Sequence, residues 1–154
     1  MIQRPQTLFF LAITALCLML LFGDIVFYTA NKTETQQTFS VEYDETEMIA
    51  ADGTAKQNNT FLIGFAGGIA ILSLVSIILF KNRTQQKLVS SINYLLILGF
   101  IVCMYLYSIN MNYEGETTFT LAALMPMGLM FLNFLGIRGI KKDENLIRSM
   151  DRLR

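Results

Sequence analysis

Four runs of apolar residues dominate the chain, at residues 8–28, 61–80, 88–109 and 119–137. Each is about twenty residues long, and a helix rising about 1.5 Å per residue then crosses a hydrocarbon core of about 30 Å. With 53% of its 154 residues hydrophobic and a mean hydropathy of +0.47, the chain holds more apolar side chains than a water-soluble domain of this length buries. The pattern predicts one integral membrane domain over residues 1–154, an all-α bundle of four transmembrane helices.

Charge sets the expected orientation. Arg4 precedes the first run, Lys81, Arg83 and Lys87 separate the second from the third, and Arg138, Lys141, Lys142, Arg148, Arg152 and Arg154 follow the fourth. Against these ten, the opposite side holds only Lys32 and Lys56, among eight carboxylates that include Glu34, Glu42, Asp44, Glu45, Glu47, Asp52, Glu114 and Glu116. Lys and Arg are retained in the cytoplasm during insertion, so both termini are expected there, in a bacterial inner membrane. The first run is longer than the roughly 7–15 apolar residues of a signal peptide and is read as a retained helix. Net charge is zero, which offers no field for nucleic acid.

The connecting segments refine this picture. The inner loop 81–87 and the outer loop 110–118 are short, so the second and third helices, and the third and fourth, are antiparallel neighbours. In the outer loop 29–60, Thr38 to Tyr43 alternates polar with apolar and Asp52-Gly53 offers a turn. Two readings stay open there, a small β-hairpin and an unstructured acidic loop. Gly64-x-x-x-Gly68 predicts a close helix approach. Asn93 and Asn133 lie at similar depth and are expected to hydrogen-bond to one another. Pro126, inside the fourth run, predicts a kink.

Signals for chemistry are few. There is no histidine and no tryptophan, and Cys17 and Cys103 lack metal-ligand spacing, so imidazole-based catalysis and metal binding have no support. No glycine-rich nucleotide loop is present, and the cluster Glu42, Asp44, Glu45 and Glu47 lacks a calcium-loop spacing. Asp24 is the one ionisable residue inside an apolar run, about 6 Å from its outer end, and is read as an interfacial carboxylate, with an intramembrane polar site as the sharper alternative. No cofactor and no small-molecule substrate is expected.

The tail is the most informative soluble segment. Leu146, Ile147, Met150 and Leu153 recur at helical spacing, with Glu144 and Arg148 as an i,i+4 pair. This predicts a juxtamembrane amphipathic helix whose Arg138, Lys141, Lys142, Arg148, Arg152 and Arg154 contact anionic lipid or a protein partner.

The two ends also carry a resemblance. The opening Met1-Ile2-Gln3-Arg4-Pro5-Gln6-Thr7 and the closing Lys142-Asp143-Glu144, Arg148-Ser149 and Asp151-Arg152-Leu153-Arg154 resemble the domain of unknown function family 4293. The resemblance implies small four-helix inner-membrane proteins of Bacteroidota and carries no activity. Residues and resemblance together suggest a non-enzymatic accessory or scaffold subunit of an inner-membrane complex, with a small oligomeric transporter or channel as the alternative.

Overall fold

The structure, a computed structural model, describes residues 5–32, 37–50, 53–110 and 116–151. Arg4, Glu34, Asp52, Glu114, Arg152, Leu153 and Arg154 lie outside the described residues. Along the chain run α1 (Pro5–Phe22), β1 (Val26–Lys32), β2 (Gln37–Glu42), β3 (Glu45–Ala50), β4 (Gly53–Asn58), α2 (Thr60–Ile78), α3 (Arg83–Asn110), β5 (Glu116–Phe119) and α4 (Met125–Asp151). Single 3-10 turns occupy Leu79–Lys81 and Leu121–Leu124.

The five strands overturn the all-α class. They form one antiparallel sheet in the order β4-β3-β2-β1-β5. The first apolar run does not remain helical to Tyr28: α1 ends at Phe22, where the Gly23 amide closes on the Met19 carbonyl at 2.9 Å. A side chain at Gly23 would come within 2.7 Å of that carbonyl oxygen. Beyond it, the β-branched and aromatic Val26-Phe27-Tyr28-Thr29 extends as β1. Likewise the start of the fourth run is divided, Phe119 closing β5 and residues 121–124 making a 3-10 turn. An apolar run shows that a segment leaves water without showing which secondary structure it adopts.

One sheet face carries Tyr28 opposite Val41 and Ala30 opposite Phe39, all buried. Edge strand β4 is exposed throughout, and its Lys56 pairs with Glu45 and lies 3.9 Å from Glu47. A lysine on an edge strand discourages pairing with further chains.

The helices pack as a ring, α1 and α3 each touching α2 and α4. Their buried positions alternate steps of four and three: Gln6, Phe10, Ile13, Cys17 and Leu20 in α1; Leu62, Ala66, Ile69, Ser73 and Ser76 in α2; Gln86, Ser90, Asn93, Ile97 and Phe100 in α3. In α4 the sequence is Pro126, Leu129, Asn133, Gly136 and Ile140. This 3.5-residue period is that of left-handed bundles. The sheet joins α1 to α2 and α3 to α4, so all strands lie at one end of the bundle. The opposite, basic end holds the 79–81 turn, where the Gln85 amide donates to Asn82 Oδ1 at 3.4 Å and so caps α3.

Three stretches are long and apolar enough to cross a membrane, Thr60–Lys81, Arg83–Ile109 and Leu121–Leu146, whereas the described apolar stretch of α1, Gln6–Phe22, is shorter. Two further expectations are corrected in α4. Pro126 is the second residue of the helix, where a missing amide hydrogen breaks no bond, so it starts the helix and does not kink it. No separate juxtamembrane helix follows residue 137, because α4 continues unbroken to Asp151.

Candidate functional site

At the sheet end, the β2–β3 turn is driven into the mouth of the bundle. Tyr43 on this turn donates from its hydroxyl to the Ala122 carbonyl at 2.7 Å, lies 3.8 Å from Met104 Sδ, and packs its ring against Phe27 and Phe100 at centroid distances of 4.7 and 5.7 Å. Asn59, the residue before α2, forgoes capping its own helix: it donates to the Glu42 carbonyl at 2.7 Å and accepts from Thr46 Oγ1 at 2.9 Å. The sheet is thereby bolted to three helices.

Carboxylates crowd this turn. Burial first, and then the charges of Asp44, Asp24, Glu45 and Glu47, raise the Glu42 carboxyl above its ordinary 4.5. The folded chain therefore binds this proton more tightly than the unfolded chain, and the contribution to stability falls as pH rises from the ordinary value through the raised one. Glu42→Gln is expected to raise the unfolding temperature at about pH 7 and to leave it unchanged near pH 3, where the carboxyl is neutral in both states. Thermal melts at the two pH values check this; an equal shift at both would refute it. Among the described residues, no group of three or more His, Cys, Asp or Glu side chains converges as a metal site.

At the basic end the bundle interior is polar. Gln6, Ser73, Ser76, Gln86, Ser90, Asn93 and Asn133 are all buried. Asn93 Nδ2 donates to Ser73 Oγ at 2.9 Å, Asn133 Nδ2 to the Ser90 carbonyl at 3.0 Å, and Gln86 Nε2 to the Ser76 carbonyl at 2.8 Å. The Ser76 and Ser90 hydroxyls are 3.3 Å apart. Among the described residues, no group donates to the side-chain oxygens of Gln6, Gln86, Asn93 and Asn133. Such a set offers acceptors and no titratable group, so it can hold a hydrogen-bond donor but cannot itself relay a proton as an acid or base.

The expected Asn93–Asn133 bond is absent. It would require one of the two Oδ1 atoms as acceptor, and both are without a donor. A double-mutant cycle between Asn93→Ala and Ser73→Ala is expected to show about 1 kcal/mol of coupling, and one between Asn93→Ala and Asn133→Ala to be additive within about 0.5 kcal/mol. Unfolding free energies of the five variants, three single and two double, and of the parent check both.

The glycine expectation also shifts. A side chain at Gly64 would meet nothing within 4 Å, and one at Gly68 only Leu96 Cδ1 at 3.7 Å. The tight approaches are at Gly99, where an added Cβ would come within 2.8 Å of the Phe65 ring, and at Gly136, within 2.8 Å of Phe10. Asp24 sits exposed in the connector between α1 and β1, outside the helix, although its charge reaches Glu42.

Sequence reasoning overlooked the serine and glutamine members of the polar interior. Their spacing is legible, with Ser73 and Ser76 three apart and Gln86, Ser90 and Asn93 at i, i+4, i+7, but single serines are ordinary in membrane helices and only the facing of α2 on α3 makes them one cluster.

On the outside of this end, Arg138, Lys141 and Lys142 are exposed on α4, and the salt bridges among the described residues, those of Lys56, do not involve them. Arg83 donates to the Asp143 carbonyl at 2.6 Å and Ile140 is buried, so α4 stays packed on the bundle to about Asp143. From there it continues to Asp151, with Asn145 and Leu146 exposed. Arg148 belongs to this extension.

No curated protein matches the chain. A family model described as "Domain of unknown function (DUF4293)" matches residues 2–153. The match covers essentially the whole chain, sheet and helices alike, and the protein belongs to that family.

Proposed function

We propose that the protein is a non-enzymatic accessory or scaffold subunit of a bacterial inner-membrane complex, keeping both termini in the cytoplasm. The orientation is supported by the ten-to-two distribution of Lys and Arg across the two ends. The docking role is supported above all by α4, which runs on as one helix for about 12 Å past Asp143, whose carbonyl accepts from Arg83, to Asp151. A rigid helical extension bearing exposed Leu146 beside cations suits capture by a groove or helix of a partner protein.

The test spares the contacts that hold α4 on the bundle. Removal from residue 138 onward would take away Ile140 and the acceptor of Arg83, so the informative truncation removes residues 145–154. Full-length and truncated chains are purified from native membranes in mild detergent. A stoichiometric partner lost on truncation supports the docking role; a homogeneous self-assembly in both preparations overturns it.

A second reading, a small oligomeric transporter or channel, is favoured by one observation, the four amide oxygens in the polar interior that have no donor among the described residues. It expects ion flux in proteoliposomes that is abolished by Asn93→Leu. Asp24 and Pro126, at the helix margins, play no part in it.

A further inference from the structure

On α4, Met127, Phe131, Phe134, Arg138, Lys141 and Asn145 follow one another by alternate steps of four and three and so share one face. The upper part of this stripe forms one wall of a groove of about 500 Å³, whose other wall is Tyr94, Leu98 and Ile101 of α3. The lower part, with Lys142 and Leu146, lines a second, basic groove of about 450 Å³. Apolar and cationic surfaces are thus continuous along a single helix.

The dimensions are those of one leaflet. From Arg138 to Met127 is eleven residues, or about 16 Å of helix, half of a hydrocarbon core of about 30 Å. With Arg138 at the headgroup level, the groove begins one turn inside the hydrocarbon at Phe134 and ends at the bilayer midplane. We infer that the α3–α4 groove is a specific site for one anionic phospholipid of the basic-side leaflet, an acyl chain lying along Phe134, Phe131 and Met127 and the phosphate held by Arg138 and Lys141.

The chemistry matches at both ends. A guanidinium grips phosphate through paired N–H donors, the neighbouring ammonium adds charge, and neither forms a salt bridge with a carboxylate among the described residues. A partner helix suits the site less well, since it would run the full bilayer depth and seal Arg138 against an apolar surface without a counter-charge. The inference rests on the membrane placement proposed above and is independent of the accessory role.

The experiment uses the full chain in mild detergent, with phosphatidylglycerol or phosphatidylcholine of identical acyl chains added in equal amount. Lipids retained per chain are counted by native mass spectrometry. One phosphatidylglycerol per chain is expected to survive delipidation, with about thirtyfold preference over phosphatidylcholine, the effect of two cations at a surface. R138Q/K141Q is expected to reduce retention to the phosphatidylcholine level, and Leu98→Trp, which fills the groove and keeps both charges, to reduce it as well; circular dichroism verifies that both variants remain folded. Equal retention of the two lipids, a preference indifferent to R138Q/K141Q, retention unaffected by Leu98→Trp, or a lipid-free dimer would each overturn the site. Stabilisation by inorganic phosphate equal to that by phosphatidylglycerol would also overturn it, since it would remove the acyl chain from the account. A chain that stays monodisperse without detergent would instead refute the membrane placement itself.

Discussion

Tyr43→Ala is expected to destabilise the protein by about 3–5 kcal/mol, the range for truncating a fully buried aromatic side chain. Tyr43 is 1% exposed and touches elements distant in sequence: Phe27 on β1, Phe100 on α3 and the Ala122 carbonyl just before α4. Its loss would leave a void where sheet and bundle meet. Tyr43→Phe separates ring from hydroxyl. Because the Met125 amide also donates to the Ala122 carbonyl, that acceptor stays partnered, and Phe is expected to cost only about 0.5–1.5 kcal/mol. Equilibrium unfolding of both variants decides the matter: a Phe variant as unstable as the Ala variant would transfer the role from ring packing to the hydrogen bond.

Gly136→Ala is expected to cost about 1–3 kcal/mol through overpacking. An added Cβ would stand 2.8, 3.0 and 3.3 Å from three ring atoms of Phe10, a residue with no exposed surface and so no free direction in which to move. Gly64→Ala, with open space around the added methyl, is expected to stay within about 0.5 kcal/mol of the parent. Phe10→Leu, which shortens the obstructing ring, is expected to recover part of the loss in the Gly136→Ala background. Unfolding temperatures of the three variants and the parent check the set; a larger loss at Gly64 than at Gly136 would place the tight helix seam on α2 and contradict the packing described.

The comparison between Gly64 and Gly136 marks the limit of motif reading. Gly64-x-x-x-Gly68 fits the pattern of close helix contact, yet α2 turns Leu62, Ala66, Ile69, Ser73 and Ser76 inward and leaves Gly64 outside. Gly136 has no partner glycine four residues away and still holds the tighter seam. A glycine permits close approach; the aromatic residue on the facing helix decides whether the permission is used. The same reasoning applies to Asn93 and Asn133. Equal depth was legible from their distances to the helix ends, but depth does not specify azimuth, and each asparagine turns to a serine-bearing position instead.

The four apolar runs gain their meaning from these distinctions. By itself the sequence determined what local composition controls: that α2, α3 and most of α4 are apolar for a bilayer's depth, that α3 follows α2 by a tight turn, and that basic residues gather at one end. The alternation from Thr38 to Glu42 also lies in a strand, with Tyr43 on the turn that follows, but its partners were out of reach of any local pattern. Thr29 pairs with Ser40 on one side and with Thr118, far along the chain, on the other. Only the tertiary structure decided that five strands close one end of the bundle, that Pro126 begins a helix, and that seven polar side chains meet inside the other end. Hydropathy acts on each segment alone, whereas strand pairing and the facing of helices depend on groups brought together by the whole chain.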